Sequence, residues 1–188
     1  MISVLVADCP WQFSDKLGAR GAEANYPTLS VAQLCVFPLP KLGNDAVCFF
    51  WRVSAMQEEA LTVLRNWGFR PKSELVWLKQ TVGGKDAFGM GRYTRMCHES
   101  CIIATRGSAM PKVHDQRSVF RAPVREHSAK PHEFYTLVER MYPDSPRYEM
   151  FARTVRPGWN QSGDELGKLG VNEDPRQTRM FEDGGKRG

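Results

Sequence analysis

No apolar run in the 188 residues approaches the roughly 20 that a membrane-spanning helix needs, so no such helix is expected. The opening Met1-Ile2-Ser3-Val4-Leu5-Val6-Ala7 has no basic leader, is too short for a secretory signal, and runs straight into Asp8. Cysteine is sparse. Cys9, Cys35, Cys48, Cys97 and Cys101 are odd in number, scattered, and form no C-x-x-C pair. That speaks against a disulfide framework and a cysteine-rich zinc site, and points to a reducing cytoplasm. Cys97 and Cys101 flank His98, but two small half-buried residues entering a strand account for them. No internal repeat is visible. No G-x-G-x-x-G follows the first apolar run, so a nicotinamide dinucleotide is not expected.

What is present fits one globular α/β domain. An apolar share of 41% is ordinary, and 188 residues leave little room for two cores. The formal net charge of +5 is mild, but its placement is uneven. Arg106, Lys112, Arg117, Arg121, Arg125 and Lys130 face only Asp115 and Glu126 in one stretch. Such a strip can follow a phosphate backbone. On charge alone, a solvated loop explains it equally well.

Periodicity predicts strands over 2–7, 46–51, 74–78, 100–105 and 148–151, with a short one near Trp159. Ser30 caps a short helix reaching Cys35, and Ser54 is expected to cap a helix carrying Ala60, Leu61 and Leu64 that ends at Gly68. A third helix spans about 130–141, with Phe134, Leu137, Val138 and Met141 on one face. Residues 12–30 read as a polar loop, the glycine-bearing 80–95 as a flexible one, and 106–125 as loop throughout. Strands alternating with helices imply a mostly parallel sheet with helices on both faces. Residues 1–167 are expected to form this domain, and 168–188 a polar, flexible tail. Ligands in such sheets bind at the carboxyl ends of strands, which collects Asp8 to Trp11, Arg52 and Lys79 along one edge.

Asp8-Cys9-Pro10-Trp11 is the most informative tetrapeptide. An exocyclic amine on an aromatic base is a poor nucleophile because its lone pair is delocalised into the ring. A site that methylates it must accept both N–H bonds, hold the ring, and align the methyl donor at near-attack distance. Asp8 offers a carboxylate, Cys9 a carbonyl in a peptide stiffened by Pro10, and Trp11 an aromatic face. No metal is required. Alone, the tetrapeptide is read equally well as a turn with a half-buried tryptophan.

The rest of the chain resembles the MT-A70-like adenine-N6 methyltransferases, in particular short phage and bacterial members, whose signature is Asp-Pro-Pro-Trp at a strand end. Tyr26-Pro27-Thr28-Leu29-Ser30, Phe49-Phe50-Trp51 and Trp67-Gly68-Phe69 look like segments of that family. So do Glu74 through Lys79, Gly91-Arg92-Tyr93-Thr94-Arg95 before His98-Glu99, and His127-Ser128-Ala129-Lys130-Pro131. Glu149-Met150-Phe151-Ala152-Arg153, Arg156-Pro157-Gly158-Trp159 and Gly163-Asp164-Glu165 extend the likeness, which covers about residues 3–166.

The resemblance implies a Rossmann-like methyltransferase fold in permuted order, with the catalytic strand first and the cofactor strand late. It implies S-adenosylmethionine as cofactor and methyl transfer to adenine N6 in nucleic acid, DNA favoured and RNA the alternative. Asp8, Cys9, Pro10 and Trp11 would be catalytic. Asp8, Lys130, Glu149, Arg153, Asp164 and Glu165 would contact the cofactor, Lys130 at its carboxylate end and Arg153 near the ribose. Trp11, Tyr26, Lys79 and Arg95 would contact substrate, although for Lys79 an ordinary strand-end surface lysine is the safer reading, and for Tyr26 packing against its loop is equally open. His98 and Glu99 are expected to start a strand. Expected partners are nucleic acid and, as a homodimer, a second copy of the chain; no membrane and no metal are expected. The location implied is the cytoplasm of a bacterial or phage-infected cell.

Two departures bear on function. Cys9 replaces the first proline of the signature, which keeps the acceptor carbonyl, loses stiffness and adds an N–H. Larger members also carry a strand and an acidic residue ahead of the signature, so the cofactor contact they supply is expected to come from elsewhere or to be missing. A catalytically weak nucleic-acid-binding partner of another subunit is a further alternative, against which stand Asp8 and Trp11, both retained.

Overall fold

The computed structural model describes residues 1–12, 27–91, 93–125, 129–163 and 166. Its elements in chain order are β1 (Ile2–Asp8), α1 (Val31–Cys35), β2 (Leu42–Arg52), α2 (Gln57–Asn66), β3 (Arg70–Gln80), β4 (His98–Arg106), β5 (Val119–Pro123), α3 (His132–Met141), β6 (Arg147–Met150) and β7 (Asn160–Ser162). Seven strands form one sheet in the order β5-β3-β4-β2-β1-β6-β7. β1 runs parallel to β2 and β6, β6 to β7, and β3 to β5, whereas β4 is antiparallel to both its neighbours. The mostly parallel α/β sheet expected from the sequence is therefore present, with one reversed strand. β4 follows β3 through residues 81–97, and among the described ones there is no helix to make the crossover that a parallel pair uses.

The continuous apolar runs of β1 and β2 arise because both sheet faces are covered. Leu5 and Ala7 point with Cys48 and Phe50 into a core closed by Leu34 of α1 and Ala60, Val63 and Leu64 of α2. Val4 and Val6 point with Val47, Phe49 and Trp51 into the opposite core, closed by Phe134, Tyr135 and Val138 of α3. Edge-to-face rings lock each layer: Phe50 lies 5.4 Å from Trp67, and Phe49 lies 5.9 Å from Phe134. The buried Trp67 indole donates to the Leu34 carbonyl at 2.7 Å, tying α2 to α1.

Ser30 forms the expected cap, and Gln33 reciprocates by accepting from the Ser30 N–H at 2.9 Å. Three sequence expectations need correction. α2 starts at Gln57 behind Met56, which makes no side-chain cap, so Ser54 lies in the preceding turn; Glu58 and Glu59 instead favour that helix end electrostatically. Residues 106–125 are not loop throughout, since β5 pairs with β3 from Val76↔Val119 to Gln80↔Pro123. β5 is an edge strand of five residues with only Ala122 buried, so it carries no alternating apolar signal. The strand expected over 148–151 ends at Met150, because Phe151 takes a φ of 60° and turns the chain away.

The carboxyl ends of β1, β2, β3 and β6 share one edge of the sheet, with Asp8 opposite Trp51 and Ala7 opposite Met150. Reversed β4 brings its first residues to the same edge, with Glu99 opposite Trp77 and Ser100 opposite Arg52.

Candidate active site

At that edge lies a cavity of about 600 Å³. Its wall includes Asp8, Cys9 and Trp11 from the end of β1, Arg52 from β2, Lys79 from β3 and Glu99 from β4. Lys130 and Arg153 close it from the segment before α3 and the segment after β6. The volume is that of an ordinary small-molecule site, and the lining combines aromatic walls with a few charged groups.

The charged groups form a chain. Lys79 Nζ lies 2.6 Å from Glu99 Oε1, Glu99 Oε2 lies 3.2 Å from Lys130 Nζ, and Lys130 Nζ lies 2.6 Å from Asp8 Oδ2. Lys130 is the buried member, its side chain 8% exposed against 31% for Asp8, so Asp8 faces the cavity while its partner is withdrawn. Burial opposes the Lys130 charge, but Asp8 and Glu99 outweigh it and raise the ammonium pKa. Burial likewise opposes ionisation of Glu99, and Lys130 and Lys79 outweigh it, lowering its carboxyl pKa. Lys130 Nζ also lies 5.1 Å from the centre of the Trp51 ring.

Asp8-Cys9-Pro10-Trp11 makes a tight turn, in which the Trp11 N–H donates to the Cys9 carbonyl at 3.0 Å. A carbonyl has two lone pairs, so this bond leaves one for a ligand. Pro10 and Trp11 are pinned to the strand-like segment before α1: Leu29 N–H donates to the Pro10 carbonyl at 2.8 Å, and Gln12 N–H to the Leu29 carbonyl at 3.1 Å. The Trp11 ring is largely buried and meets Phe50 edge-on at 5.8 Å, which fixes one cavity wall. The Cys9 side chain packs into the α1/α2 core, where burial first and Asp8 second hold its thiol well above the ordinary value.

Behind Asp8 lies a second void of only about 30 Å³, bordered by Asp8, Lys130, Tyr135, Glu149, Arg153 and Arg156. Glu149, at the end of β6, accepts from Tyr135 Oη at 2.5 Å and from Gln161 Nε2 at 2.9 Å. Burial raises its pKa, against the opposing pull of these donors and of Arg156. Gln161 also donates to the Thr154 carbonyl at 2.8 Å and accepts from Arg156 N–H at 2.6 Å, stitching the segment after β6 onto β7. A Cβ at Gly163 would collide with the Ala152 carbonyl, so the two segments pack too closely for a side chain there.

Asp8, Cys9, Trp11, Lys79, Lys130 and Arg153 thus meet at the large cavity, and Glu149 lies beside it at the small one. Pro10 shapes the turn. Arg95 is exposed on a loop whose neighbours Thr94 and Met96 line the cavity. Tyr26, Asp164 and Glu165 lie outside the described residues. Within the basic stretch, Lys130 is inside the site, Lys112 pairs with Asp144, Arg106 lies over Phe69, and Asp115 pairs with Arg140 of α3. Among the described residues, no group of three or more His, Cys, Asp and Glu is placed to hold a metal ion.

Sequence reading missed the roles of Glu99, Trp51 and the Tyr135–Gln161 pair. A glutamate opening a strand reads as surface, and only the reversal of β4 turns it toward Lys130. His98-Glu99, singled out as a pair, was the available signal.

The donor set suits a zwitterionic nucleoside cofactor. Lys130 suits a carboxylate, Arg153 lies between the two voids where it suits ribose oxygens, and the Glu149 carboxylate suits hydroxyl groups, since two of its roughly four acceptor positions are filled.

The sequence profile of the MT-A70 family matches residues 2–165. An N(6)-adenosine-methyltransferase MT-A70-like protein of Arabidopsis thaliana is 28% identical over 167 residues, covering 87% of this chain and 23% of its own length. The N(6)-adenosine-methyltransferase catalytic subunit METTL3 of Homo sapiens is 28% identical over 171 residues, covering 87% of this chain and 28% of its own length. The type II methyltransferase M.MunI of a Mycoplasma species is 24% identical over 185 residues, covering 87% of this chain and 77% of its own length. The chain thus spans about a quarter of the plant and human relatives.

Proposed function

The chain belongs to the MT-A70 family of methyltransferases, and from that premise we propose that it transfers a methyl group from S-adenosylmethionine to the N6 amine of adenine in DNA. The observation that carries the reading is Asp8: a carboxylate at a strand end, open to a cavity on one side and held by a buried ammonium 2.6 Å away on the other.

S-adenosylmethionine, when bound, supplies an electrophilic methyl carbon on a sulfonium. The chain supplies everything else. Lys130 occupies Oδ2 of Asp8, which assigns Oδ1 to one adenine N–H. The remaining lone pair of the Cys9 carbonyl takes the other N–H. Two acceptors on one amine pull its lone pair out of the ring and aim it along a fixed direction. Trp11 holds the base plane. The Asp8 carboxylate would offset the positive charge that the amine gains on methylation, and its Oδ1 would accept the departing proton. Lys130 would hold the cofactor's carboxylate end, Arg153 would lie near its ribose, and Glu149, with Asp164 and Glu165, would hold its hydroxyls and adenine. A duplex substrate would present its adenine unstacked, at a cost of a few kcal/mol.

DNA is preferred because the chain matches a short bacterial type II methyltransferase over most of that protein's length. RNA is the second reading, favoured by the plant and human relatives named for adenosine. The test incubates the protein with labelled S-adenosylmethionine and matched single-stranded DNA, duplex DNA and RNA, and identifies product nucleosides by mass spectrometry. N6-methyladenine that disappears in Asp8→Ala supports the reading, and the preferred polymer decides between the two. Cofactor binding without methylation of any polymer would instead favour a catalytically weak partner of another subunit.

A further inference from the structure

The β3–β4 connection carries a feature that the chemistry at Asp8 does not use. Gly89 and Met96 pair across an antiparallel bridge, with Gly89 N–H donating to the Met96 carbonyl at 2.8 Å. Met90, Gly91 and Tyr93 to Arg95 lie at the tip between them. A Cβ at Gly91 would collide with the Thr94 carbonyl, so the tip closes this tightly only with glycine there. At this tip, Tyr93 is 95% exposed and Met90 81% exposed, with exposed Arg95 alongside. Gly91, Tyr93, Thr94 and Met96 nevertheless line the cavity that Asp8 opens into. The turn thus holds an aromatic ring, a thioether and a guanidinium in water at the mouth of the site, while Trp11 forms the buried wall inside.

We infer that this tip grips the nucleotide next to the target adenine, with Tyr93 stacking on its base. The inference rests on the nucleic-acid reading above and extends it to how the polymer is held. An adenine drawn into the cavity leaves its neighbour with an uncovered π-face at the rim. A tyrosine ring is sequence-tolerant there because every base offers such a face, and Met90 adds apolar contact. The Arg95 guanidinium suits the adjoining phosphate, a charge match that a second copy of this basic chain would not provide.

The test uses the polymer methylated in the experiment above, with the fluorescent adenine analogue 2-aminopurine beside the target adenine, and compares wild type, Tyr93→Ala and Tyr93→Phe. Stacking predicts that Tyr93→Ala raises KM for the oligonucleotide about tenfold or more. KM for S-adenosylmethionine and kcat stay near wild type, the quenching of 2-aminopurine on binding is lost, and Tyr93→Phe restores both KM and quenching. A wild type that methylates while Tyr93→Ala keeps its KM and quenching overturns this inference and leaves the proposed function standing. So does a Tyr93→Ala variant that turns a dimer into a monomer in sedimentation while quenching persists, since the tip would then be a contact between copies. A wild type that neither binds nor methylates any polymer overturns both.

Discussion

Lys130 Nζ lies 2.6 Å from Asp8 Oδ2, across 122 residues of sequence, and the same ammonium lies 3.2 Å from Glu99 Oε2. One buried cation thus serves two carboxylates, one open to the cavity and one clamped by Lys79. Replacing it with Lys130→Met keeps much of the packing volume but leaves both carboxylates without their shared counter-charge. The methyl-transfer rate is expected to fall by about 100-fold or more, the scale of losing one preorganised donor at a reacting centre. Calorimetric binding of S-adenosylmethionine separates the two roles of the lysine. Unchanged affinity assigns it to Asp8 alone, and an affinity loss that matches the rate loss assigns it to the cofactor.

The same chain predicts a pH dependence. Lowering of the Glu99 pKa means its stabilising contribution is present above the ordinary value of 4.5 and is lost as pH falls through the lowered folded value. Raising of the Lys130 pKa means its contribution is present below 10.5 and is lost as pH rises through the raised folded value. Melting temperature should hold a plateau between these limits as far as this chain is concerned. In Glu99→Gln the acid-side fall attributable to Glu99 should disappear, with a lower plateau. An acid limb identical to wild type would refute the assignment.

Glu149 behaves in the opposite sense. Its pKa is raised, so burial works against the ionised form and the Tyr135 hydroxyl offsets part of that cost. Tyr135→Phe removes the donor and should destabilise the fold by about 1–3 kcal/mol where Glu149 is ionised. The loss should shrink as pH falls through the raised folded pKa, because a protonated carboxyl does not need that donor as strongly. Denaturant melts at neutral and acid pH measure the difference, and a pH-independent loss would mean that the hydroxyl acts only through packing.

Cys9→Pro tests the departure from the signature. The thiol packs into the core and burial keeps it protonated, so no chemistry is lost with it. A second proline should stiffen the turn that carries the acceptor carbonyl and raise kcat, with the KM values steady. A fall in kcat together with a lower melting temperature would show that this backbone has adapted to cysteine.

Much of this was legible in the chain itself. The runs 2–7 and 46–51 announced central strands because both faces of the sheet are covered, and Ser30 announced its helix through a local capping box. β5 escaped notice because an edge strand with one buried residue leaves no periodic trace. The α2 start was misplaced because Ser54 is a good capping residue that the turn does not use. Tyr26, Asp164 and Glu165, expected near the site, lie outside the described residues.

The sequence by itself determined the family, the α/β class and the strand-end tetrapeptide, because apolar periodicity and contiguous motifs are local properties of a chain. Which charges meet was decided only by the tertiary structure. Lys79, Glu99, Lys130 and Asp8 come from four separate segments, and their chain of contacts exists because one reversed strand delivers its first residues to the edge where its parallel neighbours end. Short-range ion pairing depends on distances of a few ångströms, and those are fixed by strand order and register, which no local pattern encodes.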